Sequence, residues 1–211
     1  MGIYVDHVLP RITNVVLDNR ELAELRKRVT SGLSGDVLEV GFGSGLNVPH
    51  YPATVRRVLA VDPATVGRKL AAKRVTASRV PVEYVGLDGE SLPLADDLVD
   101  HVLITWTMCT IPHVDAALRE MRRVLRPGGR LHFVEHGRSP DPEVARWQDR
   151  LNPLQRWWAG GCNLNRPIDQ LIQSAGFELA QLDNFYVSGP RPMGYMYLGV
   201  GVASNGGASD I

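Results

Sequence analysis

The chain has 211 residues, 44% of them hydrophobic and 22% charged, with a formal net charge of zero. That composition suits an ordinary globular domain and excludes global disorder. A neutral chain is not built as a dedicated nucleic-acid binder, and no apolar run approaches the ~20 residues of a membrane span. Only three of the 23 basic residues are lysines (Lys27, Lys69, Lys73), a bias that points to a GC-rich genome. The N-terminus has no signal-peptide core, and Asp6 stands where a myristoylation motif needs Ser or Thr. Two cysteines, Cys109 and Cys162, make no disulfide framework and fit a reducing cytoplasm.

Residues 6–34 read as two helical pieces, with Leu22, Leu25 and Val29 on one face of the second. Residues 36–40 read as a buried strand running into Gly41-Phe-Gly-Ser-Gly45. Strands are expected at 57–61, 82–85, 99–104 and 131–134. Helices are expected at 64–77 and 115–125, the latter with Ala116, Leu118, Met121 and Leu125 inward and ended by Arg126-Pro-Gly-Gly129. Two more helices follow at 141–158 and 166–175, and 177–185 with 195–202 alternate as an antiparallel pair. This alternation predicts an α/β fold: a seven-stranded, mostly parallel sheet with an antiparallel C-terminal strand and helices on both faces. One domain is expected over 1–203. It divides into a helical cover (1–34), a ligand-binding core (35–137), a helical lid (138–176) and a C-terminal hairpin (177–203), with a disordered tail at 204–211.

A glycine turn between strand and helix lets a ligand approach the backbone. Gly41, Gly43 and Gly45 are spaced G-x-G-x-G, not G-x-G-x-x-G, and the bulky Leu46 falls on the third dinucleotide position. Glu39 lies inside the apolar strand, where a carboxylate is costly unless paired, and suits a cationic ligand better than a pyrophosphate. Asp62 ends the second strand, placed to accept ribose hydroxyls. Asp88 ends the third, before Gly89, placed to accept from an adenine amino group. Three acids at successive strand ends mark the edge where open α/β sheets bind ligands.

The segments VLEVGFGSG, VLAVDP, LDGESLPLADDLVDHVLI and ALREMRRVLRPGGRLHFVEH resemble the successive motifs of class I S-adenosylmethionine (SAM)-dependent methyltransferases, over about residues 35–137. LITWTMCTIP, EHG, GGCNLNRP and GYMYLG are similar to the small thiol S-methyltransferases, whose mammalian members carry an apolar N-terminal anchor that this sequence lacks. The resemblance implies a Rossmann-like fold and SAM as methyl donor. Gly41, Gly43 and Gly45 would pass under its methionine and ribose, and Glu39 would orient the amino-acid end. Asp62 would hold the ribose, Asp88 and Gly89 would flank adenine, Thr105 would lie near the transferable methyl, and Asn47 would touch the carboxylate. Phe42 stands where a small residue or Cys is usual, and is expected to narrow the methionine end.

The acceptor is expected to be a small lipophilic molecule, a thiol before a phenol, quinone precursor or phospholipid amine, or the protein binds SAM without transfer. Nucleic acid is not expected, because strand four lacks an NPPY-type sequence. No stable membrane anchor is expected, and the oligomeric state is open. His136, directly after strand five, is the candidate base, and His113 the second. Trp157 and Trp158 are candidate lid residues over the acceptor, with Cys162, Asn163 and Arg166 beside them; Trp147, Leu151 and Leu154 share a helical spacing suited to the core. Tyr4 and His7 are candidates to close the pocket from the other side. Cys109 and His113 are spaced C-x3-H, but no tight C-x2-C or H-x3-H pair exists. No metal is expected, and both cysteines read as small buried hydrophobes.

Overall fold

The computed structural model describes Tyr4 and residues 8–203. The expected tail at 204–211 and His7 lie outside the described residues. The order is α1 (Leu9–Leu17), α2 (Arg20–Thr30), β1 (Gly35–Val40), a 3-10 turn (Val48–His50), β2 (Val55–Val61), α3 (Thr65–Thr76), β3 (Val82–Gly86), β4 (Val99–Thr105), α4 (Val114–Val124), β5 (Leu125–His136), α5 (Pro142–Trp158), α6 (Ile168–Ser174), β6 (Phe177–Tyr186), α7 (Arg191–Gly194) and β7 (Tyr195–Ala203). The strands form one seven-stranded sheet in the order β3-β2-β1-β4-β5-β7-β6. β1 to β5 pair in parallel, and β7 runs antiparallel between β5 and β6. The Rossmann-like α/β arrangement expected from the sequence is the one present.

The chain winds outward from β1 to β2 and β3, then returns past β1 to β4. The crevice at this switch point, beyond the strand C-termini, is where a ligand finds free backbone. Register sets up the edge. Val40 pairs with Val61 and with Ile104, so Gly41, Asp62 and Thr105 leave three neighbouring strands at one level. Thr105 in turn pairs with Val134, which delivers Glu135 and His136 next to them.

Leu22, Leu25 and Val29 of α2 pack with Val37, Val58, Leu103 and Val134, as the spacing predicted. α4 buries Val114, Ala117, Leu118, Met121 and Val124; of the expected inward residues Leu118, Met121 and Leu125 are buried and Ala116 is half-buried. Its terminator joins the strand: β5 starts at Leu125, paired with Val99, and the register slips before Arg130 meets His101. α5 differs more. Val144, Ala145 and Gln148 face inward, while Trp147 and Leu154 are exposed. Gln148 decides the rotation: its amide donates to Gly137 O and Pro192 O and accepts from Ser139 N–H. A buried polar side chain with three bonds outweighs the apolar stripe. α1 buries none of its residues, so it covers little of the core. Among the described residues, no helix is long and apolar enough to cross a membrane.

Candidate active site

The glycine turn is held open by conformation. Gly41, Gly43 and Gly45 all have positive φ, at 78°, 55° and 73°. A Cβ on Gly41 would fall 2.1 Å from Thr107 Oγ1. Asp62 closes the turn from the next strand: its carboxylate accepts from Gly43 N–H at 2.6 Å and from Ala64 N–H at 2.7 Å. Burial raises the Asp62 pKa, opposed by these two donors. Phe42, expected to narrow the methionine end, instead packs with Val48, Ala60 and Ala71 and meets Tyr84 edge-on. The alternating glycines turn it away from the ligand edge into an apolar gap.

Glu39 is fully buried and sits in a polar network. Asn47 Nδ2 donates to its Oε1 at 3.0 Å, and Tyr51 OH donates to its Oε2. Arg26 Nη1 donates to Asn47 Oδ1 at 2.8 Å and to Thr105 Oγ1 at 3.3 Å, while Asn47 Nδ2 also reaches Thr105 Oγ1. A guanidinium only donates, so Arg26 dictates that the Asn47 oxygen faces it and the NH2 faces Glu39. Arg26 also lies 4.6 Å above the Trp106 ring. Trp106 has φ of +48°, a strained conformation for a large side chain directly after β4. Burial pushes Glu39 up to about 7 against its donors, and lowers Arg26 to about 10. A buried carboxyl this high has room to be stabilised further by a cation.

Sequence reasoning missed Arg26 and Tyr51. Arg26 had a signal: it lies four residues after Leu22 and three before Val29, inside the buried stripe. Tyr51 had none. Gly67 was also missed; a Cβ there would meet Gly43 O at 2.8 Å, so α3 presses directly on the glycine turn. Asp88 is exposed and accepts from Glu90 N–H, while Glu90 Oε1 accepts from His113 N–H. A Cβ on Gly89 would lie 3.0 Å from Val40 Cγ1. His113 itself is exposed at the start of α4.

His136, the candidate base, is buried. Its Nε2 lies 3.2 Å from Cys162 Sγ. Cys109, Cys162 and His136 place their ligating atoms within 4.8 Å of one another. Cys162 is drawn down by the hydrogen bond from Cys109, against burial, and then by His136; the same bond raises Cys109. The cluster joins the loop after β4, the end of β5 and the turn after α5. Asn163 N–H and Nδ2 both donate to Cys109 O at 2.9 Å, and Arg166 donates to Met108 O. Glu135 Oε1 accepts from Thr107 N–H and Met108 N–H, so β5 holds the post-β4 loop as well. Trp157 and Trp158 are 82% and 40% exposed, standing out from this cluster instead of covering it, and Tyr4 is 40% exposed.

A family model described as a methyltransferase domain matches residues 38–133. Thiol S-methyltransferase TMT1A of Homo sapiens is 33% identical over 184 residues, covering 80% of this chain and 74% of that protein. The chain belongs to the SAM-dependent methyltransferases, as a relative of the thiol S-methyltransferases. The ubiquinone/menaquinone biosynthesis C-methyltransferase UbiE of Ectopseudomonas mendocina (strain ymp) is 33% identical over 138 residues, covering 61% of this chain and 54% of that one. In fold, the chain superposes on the N-methyltransferase NodS of Bradyrhizobium japonicum WM9, solved with S-adenosyl-L-homocysteine, with TM-score 0.72 and 15% identity over 95% of this chain and 98% of that one. SAM is the methyl donor. The residues fit it: the cofactor is cationic and carries a ribose diol, and the methyltransferase's edge offers two buried carboxylates and an open glycine turn.

Proposed function

We propose that this methyltransferase transfers the SAM methyl group to the sulfur of a small lipophilic thiol. One observation carries the thiol. The likeness to TMT1A spans 184 residues, far more than the 38–133 methyltransferase domain, so it includes segments outside the cofactor core. UbiE matches less of the chain, which ranks a quinone or phenol acceptor second.

When bound, SAM supplies a methyl group on a sulfonium, already activated for displacement. The protein's task is to hold the cofactor, align the acceptor in line at about 3–3.5 Å and exclude water. Gly41, Gly43 and Gly45 pass under methionine and ribose. Asp62 accepts from the ribose hydroxyls, Asp88 and Gly89 flank adenine, and Glu39 offers its carboxylate to the ammonium. Asn47 and Thr105, aligned by Arg26, complete the methionine end. Cys162 and Asn163 form the acceptor side with His136, while the exposed Trp157, Trp158 and His113 meet an acceptor only from the outer surface. An alkyl thiol with pKa about 8.5 is a few per cent thiolate at pH 7, so modest stabilisation of the anion suffices.

The test is an acceptor screen with SAM across alkyl thiols, phenols, amines and phospholipids, reading S-adenosylhomocysteine formation. Thiols are expected to turn over fastest. Turnover confined to phenols or quinone precursors would displace the thiol reading.

A further inference from the structure

The protein has two settings for buried histidines, and they contrast. Ser34 Oγ lies 3.1 Å from His101 Nε2, His101 Nδ1 lies 3.0 Å from His132 Nε2, and His132 Nδ1 lies 3.2 Å from Val29 O. Every ring nitrogen of that pair has a partner. His136 is only 9% exposed, yet its Nδ1 has no hydrogen-bond partner. Its Nε2 is aimed at the Cys162 sulfur, with the Cys109 sulfur in the same cluster. Cys109 is 2% exposed and Cys162 8%.

We infer that Cys109, His136 and Cys162 form a zinc site with one open coordination position, and that this position takes the sulfur of the acceptor thiol. The second half rests on the thiol reading above. Two thiolates and an imidazole are soft and borderline donors, which select zinc over magnesium or calcium. Tetrahedral zinc at about 2.3 Å from sulfur and about 2.0 Å from nitrogen spaces its donors roughly 3.5–3.8 Å apart. Donors already within 4.8 Å close on the ion with small shifts. Three protein ligands with an open fourth position is the arrangement of a reacting zinc, whereas structural zinc takes four.

The surroundings suit the ion. Gln155 Nε2 donates toward Cys162 Sγ at 3.7 Å. Asn163 clamps the Cys109 carbonyl, and Leu164 N–H donates to Asn152 Oδ1 at 2.8 Å, which fixes the turn that carries Cys162. Such outer contacts orient metal ligands before the metal arrives. The cluster also lies at the reacting edge, with Cys109 four residues beyond Thr105 and His136 at the end of β5. An acceptor thiol would replace water on zinc and lose its proton to solvent. Its sulfur electron pair then forms the new bond to the SAM methyl carbon as the carbon–sulfonium bond breaks. S-adenosylhomocysteine keeps that electron pair. The neutral thioether is a weak zinc ligand and gives way to water.

The experiment starts with full-length protein purified in reducing buffer and cleared of loosely held metal. Zinc is counted by mass spectrometry and then exchanged for cobalt. The expected result is one zinc per chain and a cobalt form with sulfur-to-metal charge-transfer and tetrahedral visible bands. Cys109→Ser and Cys162→Ser should each remove those bands while S-adenosylhomocysteine affinity stays within about threefold, or roughly 0.65 kcal/mol. Adding an alkyl thiol should shift the bands, and adding SAM should reverse the shift as thioether accumulates. Protein that binds S-adenosylhomocysteine but takes up neither metal overturns the site, as does full metal retention in the double serine variant. Where a serine variant fails to bind S-adenosylhomocysteine, the wild-type cobalt spectrum decides, and one without sulfur-to-metal bands overturns the site. A thiol that is methylated without moving the cobalt bands overturns the acceptor role. Metal bound at the cluster, with no thiol methylated, upholds the site and defeats the thiol reading instead.

Discussion

Asp62 does two jobs with one carboxylate. It ties Gly43 and Ala64 to the end of β2, and in the proposed function it also accepts from the ribose hydroxyls of SAM. On that proposal Asp62→Ala removes two charge-assisted bonds to the ribose, each worth about 1.5–3 kcal/mol, and loosens the turn beneath it. SAM affinity should fall at least a hundredfold by calorimetry; unchanged affinity would remove Asp62 from the ribose site. Glu39 and Asp62 were legible in the sequence because an acid at the end of an apolar strand needs a reason. Arg26 carried a weaker signal, its place within the Leu22–Val29 stripe, because the arginines and lysine around it on the helix read together as a solvated face.

Elements set what residues can reach. α3 approaches the glycine turn so closely that Gly67 has no room for a methyl group. In an exposed helix, Gly→Ala stabilises by about 1 kcal/mol. Here Gly67→Ala should lower both the melting temperature and SAM affinity, because the clash at 2.8 Å is with the backbone of Gly43. A variant of higher melting temperature with unchanged affinity would show that α3 has slack. On α5, Trp157 is exposed, so Trp157→Ala should change stability by less than about 0.5 kcal/mol and leave SAM affinity within about threefold. If α5 is a lid over the acceptor, the ranking of thiols of increasing chain length should change in that variant. An unchanged ranking assigns the tryptophan to the outer surface alone.

The whole molecule carries a buried histidine pair at the opposite end of the sheet. Burial lowers both pKa values, that of His132 to about 4 with help from the neighbouring His101. A histidine held neutral in the fold but free to protonate when unfolded takes stability away as pH falls from about 6.5 to about 4. The His132 contribution is roughly 3 kcal/mol across that window. The raised carboxyls of Glu39 and Glu135 act with the opposite sign, gaining stability as pH falls from about 7. The histidine term is thus read as a difference: urea unfolding of wild type and His132→Gln at several pH values between 7 and 4. The variant's disadvantage should shrink as pH falls; a constant gap would show that His132 is not held neutral.

The residues proposed to hold the cofactor were written in local sequence. A strand running into G-x-G-x-G and acids at three strand ends are contiguous patterns, and strand periodicity places them at one edge whatever the detailed packing. The α/β alternation and the inward face of α2 followed from the same periodicities, while the order of the strands in the sheet came from the structure. The Cys109–His136–Cys162 cluster was decided only in three dimensions. Cys109, His136 and Cys162 come from three separate segments, 27 and 26 residues apart, so no spacing rule could group them. The rotation of α5 was likewise set by the bonds of Gln148 to Ser139, Gly137 and Pro192, groups that meet only after the chain has folded. Local patterns specify where backbone and ligand meet, while side chains from distant segments acquire a joint chemistry only when tertiary packing brings their polar atoms together away from water.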